Sequence, residues 1–201
     1  FTFAQACIIF LKPMQHSGSK FHLTKDIPES TLIAACVKKN PAAQCALYER
    51  LYAKMLAVCT RYVGSRETAR DLVQDGFVVL FDKIGMYAGT GSFEGWARKI
   101  FVNISLSYLR KNDVLRYSEQ VDVTAGKTTI SGNIIENISA RDIMDCIEEM
   151  PTGFRTIFNM YAVEGYAHHE IAEMLNISES TSRSQYSRAR NWLQNKLDKQ
   201  R

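Results

Sequence analysis

Side chains able to hydrogen-bond to DNA recur at helical spacing near the C-terminal end of the 201-residue chain. One face of a predicted helix carries guanidinium, hydroxyl and amide groups, from Arg183, Ser184, Ser187, Arg188 and Asn191. Residues 181–201 contain six Lys/Arg and one acid, so this segment has a net charge of +5. Such groups can contact phosphates and base edges in the major groove. The pattern favours a nucleic-acid interface; an ordinary solvated basic face is the alternative.

Two helices joined by a polar turn would position these side chains. A first helix is predicted at about residues 168–175, and residues 176–180 supply the turn around one apolar anchor, Ile177. The second helix is predicted from about Thr181, with Ser180 as its N-cap. Its opposite face is apolar and would pack on the first helix, through Tyr186, Ala189, Leu193 and Leu197. This arrangement is typical of a helix-turn-helix, whose second helix enters the major groove.

An acidic ridge is predicted on a helix at about residues 67–84. One face of this helix is an apolar stripe, formed by Leu72 or Val73 with Phe77, Leu80 and Ile84. The other face is mostly acidic and amide, with one apolar residue: Asp71, Gln74, Asp75, Val78 and Asp82. It is either a solvated face or a docking surface for a basic helix of a large partner. Periodicity alone favours the solvated face.

A second basic helix is predicted at about residues 93–111, after a glycine-rich break. Its polar stripe combines cations with an amide and a hydroxyl: Lys99, Asn103, Ser107 and Arg110. Basic charge beside exposed aromatic rings is typical of sites that hold unstacked, single-stranded bases. Phe93 and Tyr87 belong to a glycine-flanked loop and are expected to be accessible, whereas Trp96 is expected to be part of the core.

Composition and charge favour two basic modules joined by an acidic linker. Hydrophobic residues make up 46% of the chain, as in ordinary globular proteins, and the formal charge is +4. Residues 118–150 hold seven acids and two bases, a net charge of −5, and helical periodicity fails in about 113–140. Residues 1–27 are expected to be an N-terminal tail. No apolar run approaches the ~20 residues that span a bilayer.

Catalytic and metal-binding patterns are not indicated. The glycine-rich segment 85–91 lacks the Lys-Ser/Thr pair of a phosphate-binding loop. His168 and His169 would point about 100° apart on a helix, so both are expected to be solvated rather than to share a metal. We therefore expect a cytoplasmic protein that is not an enzyme and has no cofactor or metal. The cysteines are scattered and are expected to be reduced thiols: Cys7, Cys36, Cys45, Cys59 and Cys146.

Four segments, taken in order, resemble those of the extracytoplasmic-function sigma factors, the small promoter-recognition subunits of bacterial RNA polymerase. Residues 71–77 (DLVQDGF) resemble the core-binding segment of region two, and residues 91–103 resemble its promoter-opening segment. Residues 150–155 and 165–190 resemble region four. The resemblance covers about residues 31–197.

Two positions depart from the family pattern. Position 167 is Ala, where the family commonly has an N-capping Ser, a difference of about 1 kcal/mol in helix stability. Position 182 is Ser, where an apolar residue often packs. We therefore expect the second helix of the motif to dock more loosely.

The resemblance implies an all-α protein with two small helical domains joined by a flexible acidic linker. Region two would span 28–115, the linker 116–139, and the helix-turn-helix domain of region four 140–201. Core polymerase would be bound through Asp71, Gln74, Asp75 and Val78. The minus-ten element would be melted and held by Phe93, Trp96, Lys99, Asn103, Ser107 and Arg110. The minus-thirty-five element would be contacted by Arg183, Ser184, Gln185, Ser187 and Arg188.

The resemblance also implies partners. These are core RNA polymerase, promoter DNA and an anti-sigma factor, with no insertion of the chain itself into a membrane. The alternative is a transcriptional regulator that combines a helix-turn-helix with an N-terminal helical sensing domain. A sigma factor would need core polymerase to initiate at a promoter, whereas a regulator of that class binds duplex DNA alone, usually as a dimer on a palindrome.

Overall fold

The computed structural model describes residues 27–112 and 140–199. The predicted linker, 116–139, and all but the last residue of the predicted N-terminal tail, 1–27, lie outside these residues. The described residues form α-helices and short helical turns without a strand, which confirms the all-α class. The elements are α1 (Glu29–Val37), α2 (Pro41–Val63), α3 (Arg66–Lys83), a 3-10 turn (Ile84–Met86), α4 (Phe93–Lys111), α5 (Ala140–Glu149), α6 (Thr152–Phe158), a π-helical turn (Asn159–Val163), α7 (His168–Leu175) and α8 (Glu179–Lys199).

Side-chain caps determine where several helices begin. The Oδ1 atom of Asn40 accepts a hydrogen bond of 3.1 Å from the Ala43 amide at the start of α2. Ser65 and Ser92 cap α3 and α4 in the same way, with their hydroxyls accepting from the third helical amide. Such a cap satisfies one of the amides that the first turn leaves unpaired. The predicted limits of α4, residues 93–111, are confirmed. They could be predicted because a capping serine directly precedes the apolar stripe.

Contacts between Cα atoms divide the chain into two compact units. Among the described residues, unit 1 comprises 27–58 and 70–104, and unit 2 comprises 59–69, 105–112 and 140–199. The described residues contain no helix that is both long and apolar enough to cross a membrane.

The core of unit 1 is formed by the apolar stripes of α2, α3 and α4. The stripe predicted for α3 is buried, and so are Leu47, Leu51 and Met55 of α2. The Phe77 ring of α3 lies 5.2 Å from the Phe101 ring of α4, edge to face, a favourable arrangement for two aromatic rings.

Gly76 allows α4 to approach α3 closely. A Cβ atom at this position would lie 2.3 Å from Cε1 and 2.5 Å from Cδ1 of Phe101. Both distances are far below a van der Waals contact. The glycine inside the DLVQDGF segment is therefore required by packing, which holds the helix of the acidic ridge against α4.

Substitution Gly76→Ala is expected to lower the free energy of unfolding of unit 1 by about 1–3 kcal/mol, because overpacking outweighs the better helix propensity of Ala. Gly95→Ala is the matched control, since a Cβ atom there meets only Ser92 atoms at 3.7 and 3.8 Å. That variant should be neutral or slightly more stable. Chemical denaturation of both variants provides the measurement, and equal stabilities would contradict the packing role of Gly76.

The core of unit 2 is formed by the face of α8 opposite its basic residues. Met150, Phe154 and Ala189 are buried together, and Phe158, Trp192 and Leu193 pack against them. The apolar seam predicted for α8 is confirmed at Ala189 and Leu193, and Trp192 extends it. This packing determines which face of α8 remains free.

A buried arginine joins two backbone carbonyls in unit 2. Arg155 is 6% exposed and donates hydrogen bonds of 2.6 Å to the Glu148 carbonyl and 3.2 Å to the Tyr62 carbonyl. Burial lowers the pKa of this guanidinium, and the charge of Glu148 opposes that effect. Nearby, Asn159 donates to the Arg61 carbonyl at 3.0 Å, and Arg61 forms an ion pair of 2.7 Å with Glu164.

The described cysteines are free thiols. Cys36, Cys59 and Cys146 are buried, and Cys45 is half-buried. Burial raises the pKa of the Cys36 and Cys59 thiols to about 11. A thiol with so high a pKa carries little thiolate at neutral pH and is a poor nucleophile or metal ligand.

Candidate nucleic-acid interface

The second helix of the predicted helix-turn-helix begins two residues earlier than the sequence suggested. The hydroxyl of Ser178 accepts a hydrogen bond of 3.0 Å from the Thr181 amide, which makes Ser178 the N-cap of α8. Ser180, the predicted cap, is already inside the helix. The prediction was wrong because several hydroxyl residues occupy neighbouring positions and each could serve as a cap.

The exposed face of α8 presents the residues expected to contact the minus-thirty-five element. Arg183, Ser184, Ser187 and Arg188 are exposed, and Gln185 is half-buried. Arg183 donates to a Glu179 carboxylate oxygen at 2.5 Å, one turn earlier on the same helix. A surface ion pair of this kind is worth little in water, so Arg183 can leave Glu179 for a stronger acceptor.

The first helix of the motif, α7, has only half of a capping box. Ala167 has no side-chain oxygen, but the Glu170 carboxylate accepts a hydrogen bond of 2.7 Å from the Ala167 amide. At its other end, Asn176 adopts a left-handed conformation with φ of 55°, and the Ile177 amide donates to the Ala172 carbonyl at 3.0 Å. This C-cap closes the turn toward α8.

A histidine–serine pair joins the two helices of the motif. The expectation that His168 is solvated was wrong: His168 is 9% exposed, and its Nδ1 atom shares a hydrogen bond of 2.9 Å with the hydroxyl of Ser182. Ser182 is fully buried, so the position expected to loosen the docking of α8 contains a specific polar contact instead. No local sequence pattern could have found this pair, because the partners are 14 positions apart and belong to different helices.

The stability of unit 2 is expected to fall as the pH is lowered from about 7.5 to 5.5. Burial, and secondly the charge of Arg183, lowers the pKa of His168 below its usual value of 6.5, while Glu179 opposes the shift. The unfolded chain therefore takes up this proton at a higher pH than the folded chain. Stability contributed by the neutral ring is lost as pH falls from the unfolded pKa toward the folded pKa.

Thermal unfolding over a pH series tests this expectation. The His168→Phe variant should lose less stability on acidification than the wild type. His169→Phe, a change at the exposed neighbouring histidine, should behave like the wild type. Equal pH slopes for all three proteins would contradict the argument.

A polar stripe runs along α4 as the sequence predicted. Lys99, Asn103, Ser107 and Arg110 are all exposed. The guanidinium of Arg110 donates to the Ser107 hydroxyl at 3.2 Å and to the Met174 carbonyl at 3.4 Å. The stripe thus offers two cations, an amide and a hydroxyl on one side of a single helix.

Phe93 is less accessible than expected, and Trp96, expected in the core, is more accessible. Phe93 is 1% exposed; its ring stacks on Trp96 at 5.5 Å and meets Tyr87 edge-on at 5.1 Å. The expectation of an accessible Phe93 was wrong, because Phe93 is the first residue of α4 and turns inward into the core. Trp96 and Tyr87 are half-buried, and the Tyr87 hydroxyl donates to the Gly91 carbonyl at 2.7 Å.

The acidic ridge of α3 faces solvent. Asp71 and Asp75 are exposed, and Val78 is 41% exposed between acidic neighbours. Gln74 is half-buried and donates a hydrogen bond of 3.0 Å to the Tyr48 hydroxyl. The side-chain nitrogen of Gln74 is therefore engaged within its own unit, whereas the two carboxylates and Val78 are available to a partner.

Two family models match the chain, one in each half. Residues 47–114 match the model of Sigma-70 region 2, and residues 140–193 match the model of Sigma-70, region 4. The ECF RNA polymerase sigma-E factor of Haemophilus influenzae is 26% identical over 186 residues, which cover 87% of this chain and 98% of the relative. The chain belongs to the extracytoplasmic-function sigma factors.

The chain is also similar to a second curated relative and to two solved structures. The ECF RNA polymerase sigma-E factor of Escherichia coli K12 is 24% identical, with 87% of this chain and 97% of the relative covered. The structure of CnrH in complex with the cytosolic domain of CnrY is 22% identical, with a TM-score of 0.45 over 84% of this chain and 96% of that chain. The sigma factor RpoE in complex with the anti-sigma factor NepR from Bartonella quintana is 22% identical, with a TM-score of 0.47 over 76% and 94%.

Membership of the family decides between the two functions left open by the sequence. The chain is a promoter-recognition sigma factor, because region 2 occupies the part in which a regulator would carry a sensing domain. A sigma factor is an initiation factor without a catalytic role of its own. The residues that sequence reasoning missed all act by packing or by long-range contact: Gly76, Arg155, His168, Ser182 and Trp192.

Proposed function

We propose that three exposed faces of this sigma factor have separate binding functions in transcription initiation. The ridge of α3 binds core polymerase, the stripe of α4 holds the melted minus-ten strand, and the first turns of α8 contact the minus-thirty-five duplex. The observation that carries the proposal is the orientation of α8. Its buried face is occupied by Ala189 and the surrounding apolar residues, which leaves Arg183, Ser184, Ser187 and Arg188 exposed.

The ridge of α3 suits a basic partner surface. Asp75 and Asp82 flank the exposed side chain of Val78, and Asp71 lies one helical turn before Asp75. Carboxylates around an apolar centre match the usual anatomy of a protein interface, with a dry centre and a polar rim. Gln74 is proposed to support this surface through Tyr48 and to reach the polymerase with its remaining polar atoms.

The stripe of α4 suits single-stranded DNA. Lys99 and Arg110 attract phosphates, and Asn103 and Ser107 can hydrogen-bond to the edges of unpaired bases. Trp96, half-buried beside the stripe, offers the aromatic surface on which a base can stack. Phe93 supports Trp96 from beneath rather than meeting the DNA itself.

The two arginines of α8 have different tasks. Arg183 and Arg188 are five positions apart, which separates them by about 140° around the helix axis. Arg183 lies near the N-terminus of α8, the end that enters the major groove in this motif, and is proposed to contact base edges with Ser184 and Gln185. Arg188 and Ser187 are proposed to contact phosphates at the flank of the groove.

We propose the domain limits 28–115 for region two, 116–139 for the linker and 140–201 for region four. The chain acts in the cytoplasm, where core polymerase and promoter DNA meet, and an anti-sigma factor holds it inactive, as the family resemblance implies. Neither a catalytic residue nor a cofactor is part of this function.

Mapping of transcript starts tests the proposed function. Core polymerase is incubated with fragmented genomic DNA, with and without the full chain, and the new 5′ ends are located. We expect a small set of starts that depend on the chain and share two upstream elements. Starts that are independent of the chain, or binding of the chain alone to palindromic duplex sites, would contradict the proposal.

Charge reversal at Asp75 is expected to weaken binding to core polymerase. The Asp75→Lys variant replaces a carboxylate by a positive charge, which would repel the basic surface of the partner. Because Asp75 is exposed, the substitution should change the stability of the fold little. Glu49→Lys makes the same charge change at an exposed position of α2 and should bind normally. The measurement is a titration of core polymerase with labelled chain. Equal affinities of the two variants would show that the ridge of α3 is an ordinary solvated face.

A further inference from the structure

The imidazole of His168 lies where three elements of unit 2 meet. From α7, it shares its hydrogen bond with Ser182 of α8. Its ring stacks on Tyr161 of the π-helical turn at 4.2 Å, with the planes inclined by 12°. The Tyr186 ring of α8 meets the imidazole at 5.8 Å and Tyr161 at 4.5 Å. His168 thus contacts the π-helical turn and α8 directly, and Tyr161 of that turn also contacts α8 through Tyr186.

The π-helical turn brings Tyr161 to this position. The Glu164 amide donates to the Asn159 carbonyl at 2.9 Å, five residues back, which is the hydrogen bond of a π-helix. A turn of this kind accommodates one extra residue and rotates the side chains that follow it. Tyr161 remains 38% exposed, yet its ring covers His168. Such turns are rare in proteins, and those that occur are often found at functional sites.

Ser182 is the point through which His168 acts on the DNA-contacting residues. It precedes Arg183 and Ser184 directly, in the first turns of α8, and its side chain points inward while theirs point outward. The hydrophobic effect that stabilises the packing around Ala189 has no preferred direction. A hydrogen bond has a preferred distance and angle, so the pair with His168 fixes the rotation of this end of α8.

We propose that His168 is a positioning residue for promoter recognition, which through Ser182 and Tyr161 fixes the direction in which Arg183 projects from α8. The proposal rests on the proposed function of α8 in the minus-thirty-five contact. Successive residues of an α-helix are about 100° apart around its axis. Even a fraction of that rotation of α8 would displace the Arg183 guanidinium from the two acceptors of a guanine. The Ser at position 182 is therefore one half of a positioning pair.

The test uses holoenzyme assembled from core polymerase and the full chain, on a mapped promoter and on single-base variants of its upstream element. The variants remove the hydroxyl (Ser182→Ala), remove the hydrogen bond but keep a ring (His168→Phe), combine both changes, or restore a polar group at the δ position (His168→Asn). His169→Phe serves as the matched control at the exposed neighbour. Unfolding midpoints are measured in parallel.

At the base pair whose preference depends on Arg183, we expect the ratio of best to worst base to fall by about 3- to 10-fold in Ser182→Ala and His168→Phe, the range that one hydrogen bond supports. The double variant should lose no more than either single variant, because both remove the same contact. His168→Asn should show a smaller loss than His168→Phe, and the control His169→Phe should keep the wild-type ratio.

Two results would overturn the proposal. One is a uniform loss at all bases that follows the drop in unfolding midpoint, which would make the pair a stability element only. The other is a double variant whose loss is the product of the single losses, which would show that the residues act independently. A wild-type holoenzyme without any upstream base preference would instead overturn the proposed function of α8 itself, and that result needs no variant.

Discussion

Substitution Phe93→Ala is expected to lower the free energy of unfolding of unit 1 by about 3–5 kcal/mol, the usual cost of removing a buried phenyl ring. The ring is 1% exposed and is held between Trp96 and Tyr87, so its loss leaves a cavity at the start of α4. Promoter opening should suffer only as far as the fold does. The measurement is chemical denaturation of the full chain, followed by the near-ultraviolet signal of its aromatic residues.

The Phe93→Leu variant separates a packing role from a base-stacking role. Leu keeps most of the buried apolar volume, so the loss should be well below that of Phe93→Ala and open-complex formation should stay near the wild-type rate. A residue that stacked on a base would give the opposite result, since Leu lacks the aromatic face as Ala does. Slow promoter opening in a stable Phe93→Leu protein would therefore contradict the buried role.

Substitution Arg183→Ala is expected to cost about 1–3 kcal/mol of binding to the minus-thirty-five duplex and to relax the preference at one base pair. A guanidinium near the N-terminus of α8 can bond two acceptors of one guanine, and no other exposed group at that end has this geometry. The weak surface ion pair of Arg183 with Glu179 is exchanged for the base contact when DNA binds. Binding of holoenzyme to a panel of single-base promoter variants measures both effects.

Arg188→Ala is the matched control for charge. It removes the same charge from the same helix, but a phosphate contact weakens all sequences alike and lowers the salt slope by about one. Its base preferences should therefore remain those of the wild type. If Arg183→Ala also weakened every promoter equally and kept its preferences, the assignment of Arg183 to a base edge would be wrong.

Much of the helical architecture could be predicted because its determinants are local. The limits of α4 and α7 follow from apolar periodicity and from the residues around each helix start, and both predictions are confirmed. The start of α8 was predicted two residues late, since Ser178 and Ser180 are equally good caps in the sequence. Local signals identify a helix more reliably than they identify its first residue.

The parts that could not be predicted depend on contacts between distant residues. Glycines around Phe93 indicate a turn of the backbone but not the direction of the ring, which the core of unit 1 determines. The pairing of His168 with Ser182 joins residues whose side chains, taken separately, favour solvent. A glycine inside a helix is destabilising by itself, so the sequence alone does not explain Gly76. The explanation is that the Phe101 ring occupies the space that a side chain at position 76 would need.

One measurement tests most directly whether a single chain contacts two promoter elements while bound to core polymerase. Initiation is measured by run-off transcription from a mapped promoter in which base pairs are inserted between the upstream and the melted element. An insertion of about five base pairs rotates one element by half a helical turn relative to the other. We predict that initiation is lost with this insertion and returns in part when the original spacing is restored by a compensating deletion. Undiminished initiation at every spacing, or after either element has been scrambled, would contradict the two-element function.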